Sequence, residues 1–96
     1  MIVIAASLKA KAGMENELIA IMKELTVAVK AAEPDTLDYV LLRSLKDQLQ
    51  FMVYEKYRSP DAMKAHLMSP HFQAASKKLA TVLDGGLKAE SYTVVE

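Results

Sequence analysis

The side chains able to do chemistry crowd into one stretch of this chain. Tyr54-Glu55-Lys56-Tyr57-Arg58-Ser59-Pro60-Asp61-Ala62-Met63-Lys64-Ala65-His66-Leu67-Met68-Ser69-Pro70-His71-Phe72 holds both histidines, an acid and a phenol. Strand periodicity puts Glu55 and Tyr57 on one face, and the helix carrying His66 folds straight back over it. A Glu55 to His66 hydrogen bond would hold the imidazole in one tautomer for general acid-base work. The same pair also reads as a structural latch at the edge of the core. His71 follows a proline at a helix start, where the positive end of the dipole favours a neutral ring that could face a ligand or pack at the helix junction. His66 and His71 stand five apart across a helix break, which matches no metal-binding spacing, so no metal is expected.

Outside that stretch the candidates are fewer. Tyr39 and Arg43 share a face of one strand, so the guanidinium could donate beside a phenol-lined cavity or simply be solvated. The six methionines can line an adaptable pocket or fill the core. With no cysteine there is no thiolate nucleophile and no disulfide. Gly13, Gly85 and Gly86 fall at element boundaries, which leaves no phosphate-binding loop and no dinucleotide or flavin motif, hence no expected cofactor.

The elements that must position these groups can be read from periodicity. Ile2 to Leu8 is a strand apolar on both faces. Leu18, Met22, Leu25, Val29 and Ala32 recur at helical spacing between Met14 and Ala32, and Glu33-Pro34-Asp35-Thr36 stops that helix. Leu37 to Leu45 and Leu49 to Tyr57 are two strands joined by a Lys46-Asp47-Gln48 hairpin connection. Ser59-Pro60-Asp61 and Ser69-Pro70-His71 are two helix starts, each with a serine cap and a proline, giving helices Pro60 to Met68 and Pro70 to Leu83. Phe72, Ala75, Leu79 and Leu83 mark the core stripe of the second. Asp84-Gly85-Gly86 ends it, and Leu87 to Val95 is a weaker strand fit for an edge.

Strand, helix, strand, strand, helix, strand predicts an α+β, ferredoxin-like subunit with both helical regions on one side of an antiparallel sheet. The other side would carry Val3, Ala5, Val40, Leu42, Met52 and Tyr54, an apolar patch that a two-fold dimer would cover sheet on sheet. All 96 residues fit one domain, too small to bury much of its apolar surface alone. Twelve basic residues balance twelve acidic ones, so no field steers nucleic acid or an anionic membrane to the chain. No apolar run approaches the ~20 residues that cross a bilayer, and the expected location is the cytoplasm.

Tyr-Glu-x-Tyr, Ser-Pro-Asp-Ala and Ala-His-x-x-Ser-Pro-His-Phe, over residues 54–72, resemble the signature of antibiotic biosynthesis monooxygenase domains, with Lys9 to Gly13 and Tyr39 to Ser44 similar in the matching places. The resemblance implies a dimeric α+β barrel over residues 1–96, two ferredoxin-like subunits packed through their sheets. It implies cofactor-independent oxygenation of a small aromatic, quinol or polyketide-type substrate. His66 would be the base, oriented by Glu55; Tyr57 and His71 would bond the substrate oxygens; Phe51, Met63 and Phe72 would form walls. The haem-degrading branch has asparagine, tryptophan and histidine where this chain has Ala6, His66 and Ser76, and the common Glu-x-Trp element ends here in Tyr57. The pattern is also similar to a branch that isomerises a phosphorylated quorum-sensing signal, and a non-catalytic ligand-binding or stress-response module is a further alternative.

Overall fold

Alternation along the strands resolves into two unlike faces once the chain is folded. The computed structural model describes all residues from Met1 to Glu96. Its elements are β1 (Ile2–Lys9), α1 (Glu15–Ala32), β2 (Thr36–Arg43), β3 (Gln50–Tyr57), α2 (Pro60–Met68), α3 (Pro70–Val82) and β4 (Lys88–Thr93). The strands lie in the order β2-β3-β1-β4, every neighbouring pair antiparallel, and this is an α+β, ferredoxin-like fold.

On the helix side Ile4, Ala6 and Leu8 of β1 and Phe51, Val53 and Tyr57 of β3 are buried under Leu18, Met22, Leu25 and Val29 of α1 and Ala75, Leu79 and Val82 of α3. Each large apolar side chain buried this way contributes about 1.5–3 kcal/mol, so this layer is the main source of stability. Glu55 and His66 are the two buried polar residues, and both belong to the stretch that carries the chemistry.

Boundaries differ from the sequence-based expectations where local hydrogen bonds intervene. β2 ends at Arg43 rather than Leu45, because Ser44 Oγ accepts the N–H groups of Lys46 and Asp47, and Asp47 Oδ1 accepts that of Leu49. Leu45 is left on the tip of the turn, almost wholly exposed. Ala32, expected in the α1 stripe, faces solvent, and Leu83 caps α3 and bridges to Ala10 instead of continuing the helix. Gly13, at φ 85°, turns the chain into α1 in a conformation that a side chain would strain.

The helix-free face is apolar across its middle. Val3, Ala5 and Tyr54 are half-buried, while Val40, Leu42, Met52 and Tyr92 are exposed. β4 lies at the edge, and all six of its residues are exposed. No helix is long and apolar enough to cross a membrane.

Candidate active site

The turn after α1 is where the site begins. Glu33 caps the helix C-terminus, its N–H donating to the Val29 carbonyl. The next residues are tied to the end of β3, because Arg58 N–H donates to the Asp35 carbonyl at 2.9 Å and Arg58 Nε meets Asp35 Oδ1 at 3.0 Å. α2 starts where Ser59 Oγ accepts the Ala62 N–H at 3.2 Å, and its last turn delivers His66 over the sheet. Ser69 then closes α2 and opens α3: its hydroxyl accepts the Phe72 N–H at 3.2 Å and donates to the His66 carbonyl at 2.7 Å. Two helix ends are thus locked to each other at the site.

His66 is completely buried. Its ring sits among Tyr39, Tyr57 and Phe72, with centroids 5.2, 5.6 and 4.8 Å away. Nδ1 lies 2.9 and 3.0 Å from the two carboxylate oxygens of Glu33. Nε2, on the opposite side of the ring, is buried without a hydrogen-bond partner. Glu33 also accepts from the Thr36 hydroxyl at 2.6 Å and is bonded to His71 Nε2. Partial burial works to raise the Glu33 pKa, but the bonds from Thr36, His71 and His66 outweigh it and hold the carboxyl below its ordinary value. An ionised carboxylate only accepts, so Nδ1 of His66 carries a hydrogen, and in the neutral ring Nε2 is a bare acceptor.

Glu55 forms a second centre on the sheet. It accepts a 2.5 Å hydrogen bond from the Tyr57 hydroxyl. Burial pushes its carboxyl up to about 7, the bond from Tyr57 works against that rise, and the charge on Glu33 adds to it. Burial and the neighbouring carboxyls push the Tyr39 and Tyr57 phenols far up as well, so both stay protonated.

Of the residues singled out from the sequence, Tyr39, Glu55, Tyr57, His66, His71 and Phe72 come together, and Met63 packs against the core one turn before His66. The expected Glu55 to His66 bond is not formed: Glu33 holds His66, and Glu55 takes the hydroxyl of Tyr57, which is therefore not free for a substrate oxygen. His71 likewise turns its Nε2 to Glu33. Arg43 and Phe51 lie elsewhere, four residues further along β2 and β3, about 13 Å away at strand rise. There the Arg43 guanidinium stacks 5.1 Å from the Phe51 ring and donates to the Gln48 carbonyl. In place of a ready cavity under the helices the rings are close-packed, and the nearby cleft, about 240 Å³, opens on Glu33 and His71 from the solvent side.

In the sequence Glu33 and Thr36 read only as a helix stop. A signal did exist, since an acid at a helix C-terminus opposes the dipole and breaks a local rule. Glu33, His66 and His71 offer ligand-type atoms within 4.8 Å of one another, a cluster that the spacing of the histidines alone did not reveal. Within this cluster both imidazoles are hydrogen-bonded to the Glu33 carboxylate.

The profile of the antibiotic biosynthesis monooxygenase family matches residues 1–78. A protein from Caulobacter crescentus CB15, described as a candidate antibiotic biosynthesis monooxygenase, is 33% identical with a TM-score of 0.95, covering 99% of this chain and 90% of its own. A like-named protein from Deinococcus radiodurans superposes with a TM-score of 0.90 at 24% identity, covering 100% of this chain and 94% of its own. One from Nitrosomonas europaea reaches 0.92 at 18% identity, covering both chains entirely. These last two speak for the fold alone. No curated protein matches the sequence.

Proposed function

The chain belongs to the antibiotic biosynthesis monooxygenase family, and from that premise we propose that it is a monooxygenase-type enzyme whose base is His66. Its substrate is a small aromatic, quinol or polyketide-type molecule bound against the imidazole. The observation that carries this reading is the fully buried ring with Nδ1 pinned by a carboxylate and Nε2 left without a partner. An unsatisfied buried acceptor costs about 1–3 kcal/mol, and a bound hydroxyl would recover it.

In this reading Nε2 takes the proton of the bound hydroxyarene, and the electron-rich anion adds oxygen at carbon to give a peroxide. As its O–O bond breaks, the carbon-bound hydrogen is lost as a proton, one oxygen stays as a carbonyl and the other leaves as water, which takes up that proton and the one returned by Nε2. The substrate supplies both electrons. Tyr39, Tyr57 and Phe72 exclude solvent and orient the ring, while half-buried Met63 and Phe72 are the side chains that yield to admit it. A phosphorylated ketone is less well served, since the groups gathered at His66 include two carboxyls and neither lysine nor arginine.

The functional unit we propose is a homodimer. Its support is the apolar helix-free face, where Val40, Leu42, Met52 and Tyr92 stand exposed on one sheet surface.

Oxygen uptake with a panel of hydroxyarenes and quinols tests the chemistry. His66→Ala is expected to lower turnover by about 10²–10⁴-fold. Full turnover in that variant would sink the assignment; turnover without oxygen consumption would indicate isomerisation, and ligand binding without turnover a binding module.

A further inference from the structure

Two imidazoles converge on one carboxylate oxygen. His66 Nδ1 lies 2.9 Å from Glu33 Oε2, and His71 Nε2 is bonded to the same atom. Because an ionised carboxylate only accepts, each ring gives it an N–H. Glu33 Oε1 is anchored by the Thr36 hydroxyl at 2.6 Å, which holds the carboxylate in one orientation. The three groups come from the C-cap of α1, the last turn of α2 and the first turn of α3, and their ligand-type atoms lie within 4.8 Å of one another. The five-residue spacing of the histidines matches no metal motif because Ser69, closing α2 and opening α3, sets the two rings side by side across the helix break. The cleft of about 240 Å³ beside them is lined by Glu33, Asp35, Thr36, Ser69 and His71 among others, and by no lysine or arginine, so a cation meets two carboxylates and no repelling charge on its way in.

We propose that Glu33, His66 and His71 form a binding site for a divalent transition-metal ion of the zinc class, and that loading this site switches His66 off as a base. Zinc takes imidazole nitrogen and carboxylate oxygen at about 2.0–2.2 Å, and two histidines, one glutamate and a water are a set it accepts. The water comes from the cleft. Thr36 supports Glu33 as a hydrogen bond supports any ligating carboxylate, by fixing which way it points. On binding, the two hydrogens that now bridge the rings to Glu33 leave those nitrogens, and the far nitrogen of each ring takes up a hydrogen by exchange with water. Both rings stay neutral, and no net proton is gained or lost. For His71 the far nitrogen is Nδ1. For His66 it is Nε2, the acceptor meant for the substrate hydroxyl, so the metal-loaded chain presents an N–H where the metal-free chain presents a lone pair. The switch rests on the reading of His66 as base; the binding of the ion does not.

Untagged protein, stripped with a chelator and titrated with Zn²⁺, is expected to bind one ion per chain in calorimetry and to gain about 5 °C or more in Tm at saturating metal. Co²⁺ is expected to give a visible absorption band that zinc then displaces. His71→Phe and Glu33→Gln, on different elements and each checked by circular dichroism, are expected to weaken binding by more than the roughly 10–100-fold that loss of a supporting hydrogen bond costs. Thr36→Val leaves all three ligands in place and is expected to weaken it by about 10-fold, which keeps the site testable should either ligand variant fail to fold. The chain has two histidines and no cysteine, so undiminished binding in these variants would put the ion elsewhere and overturn the site, as would a wild type that binds none. Oxygen uptake by wild type is expected to fall by about 10²-fold or more on loading, the loss expected for removal of the base, and to return when chelator is added. The uptake that persists in His71→Phe is expected to be indifferent to zinc. Uptake unchanged or raised by bound zinc would overturn the switch. Full turnover in His66→Ala would instead remove the reading of His66 as base, and the calorimetry would still decide the site.

Discussion

Glu33 and Glu55 show how position divides the labour of two identical side chains. Glu33 is held below its ordinary pKa by the groups that donate to it, and Glu55 is pushed up to about 7 by burial. Between an ordinary value of 4.5 and about 7 the folded chain therefore keeps a proton on Glu55 that the unfolded chain has lost. Stability from this group is full below the lower value and falls as pH rises through the upper one, by on the order of 3 kcal/mol. Glu33 acts in the opposite sense, its contribution being lost as pH falls through its folded pKa. Glu55→Gln, which can still accept from Tyr57, is expected to flatten the decline in Tm between about pH 5 and about pH 8; an unchanged slope would mean that Glu55 is ionised throughout. The sequence shows that Glu55, Tyr57 and His66 meet, because strand alternation and one helical return suffice for that. It conceals which acid takes the imidazole, since Glu33 arrives from a turn whose direction depends on the Asp35–Arg58 contact and not on any periodicity.

Elements, rather than single residues, decide how tightly the histidines are held. The serine and proline of each short helix are legible as start signals, and both serines do cap their helices. What those signals do not convey is that Ser69 serves α2 and α3 together, through a bond given to the His66 carbonyl and one taken from the Phe72 N–H. Ser69→Ala is expected to cost about 1–2 kcal/mol in urea denaturation, more than an isolated cap of its exposure would, and to lower turnover by loosening His66 and His71 at once. A loss of stability with unimpaired turnover would show that the junction does not position the rings. The strand that ended early makes a related point: Leu45 continues an apolar run, yet the side chains of Ser44 and Asp47 capture the backbone and turn it into the hairpin tip.

At the scale of the molecule, the sheet has one face filled by helices and another that the chain leaves uncovered. Alternation in β1, β2 and β3 makes both faces readable from sequence, because each strand carries apolar residues at odd and even positions alike. Met52 stands near the centre of the open face, opposite Ser7 of β1 and Leu42 of β2. Met52→Glu is expected to leave the fold intact and to convert the proposed dimer into a monomer in sedimentation experiments at micromolar concentration, since each subunit would bring an unpaired carboxylate into the apolar seam. A wild-type chain that sediments as a monomer would refute the dimer without touching the site under the helices.

β4 adds a last consequence. It keeps its place through backbone pairing with β1 and one bond from the Thr93 hydroxyl to the Met1 carbonyl, and none of its side chains is claimed by the interior. Folding thus asks little of these six residues beyond an extended path, and their identities are free to be chosen from outside. Lys88, Glu90 and Tyr92, on the side away from the helices, are accordingly better understood as a message to whatever rests on the sheet than as a record of how this chain packs itself.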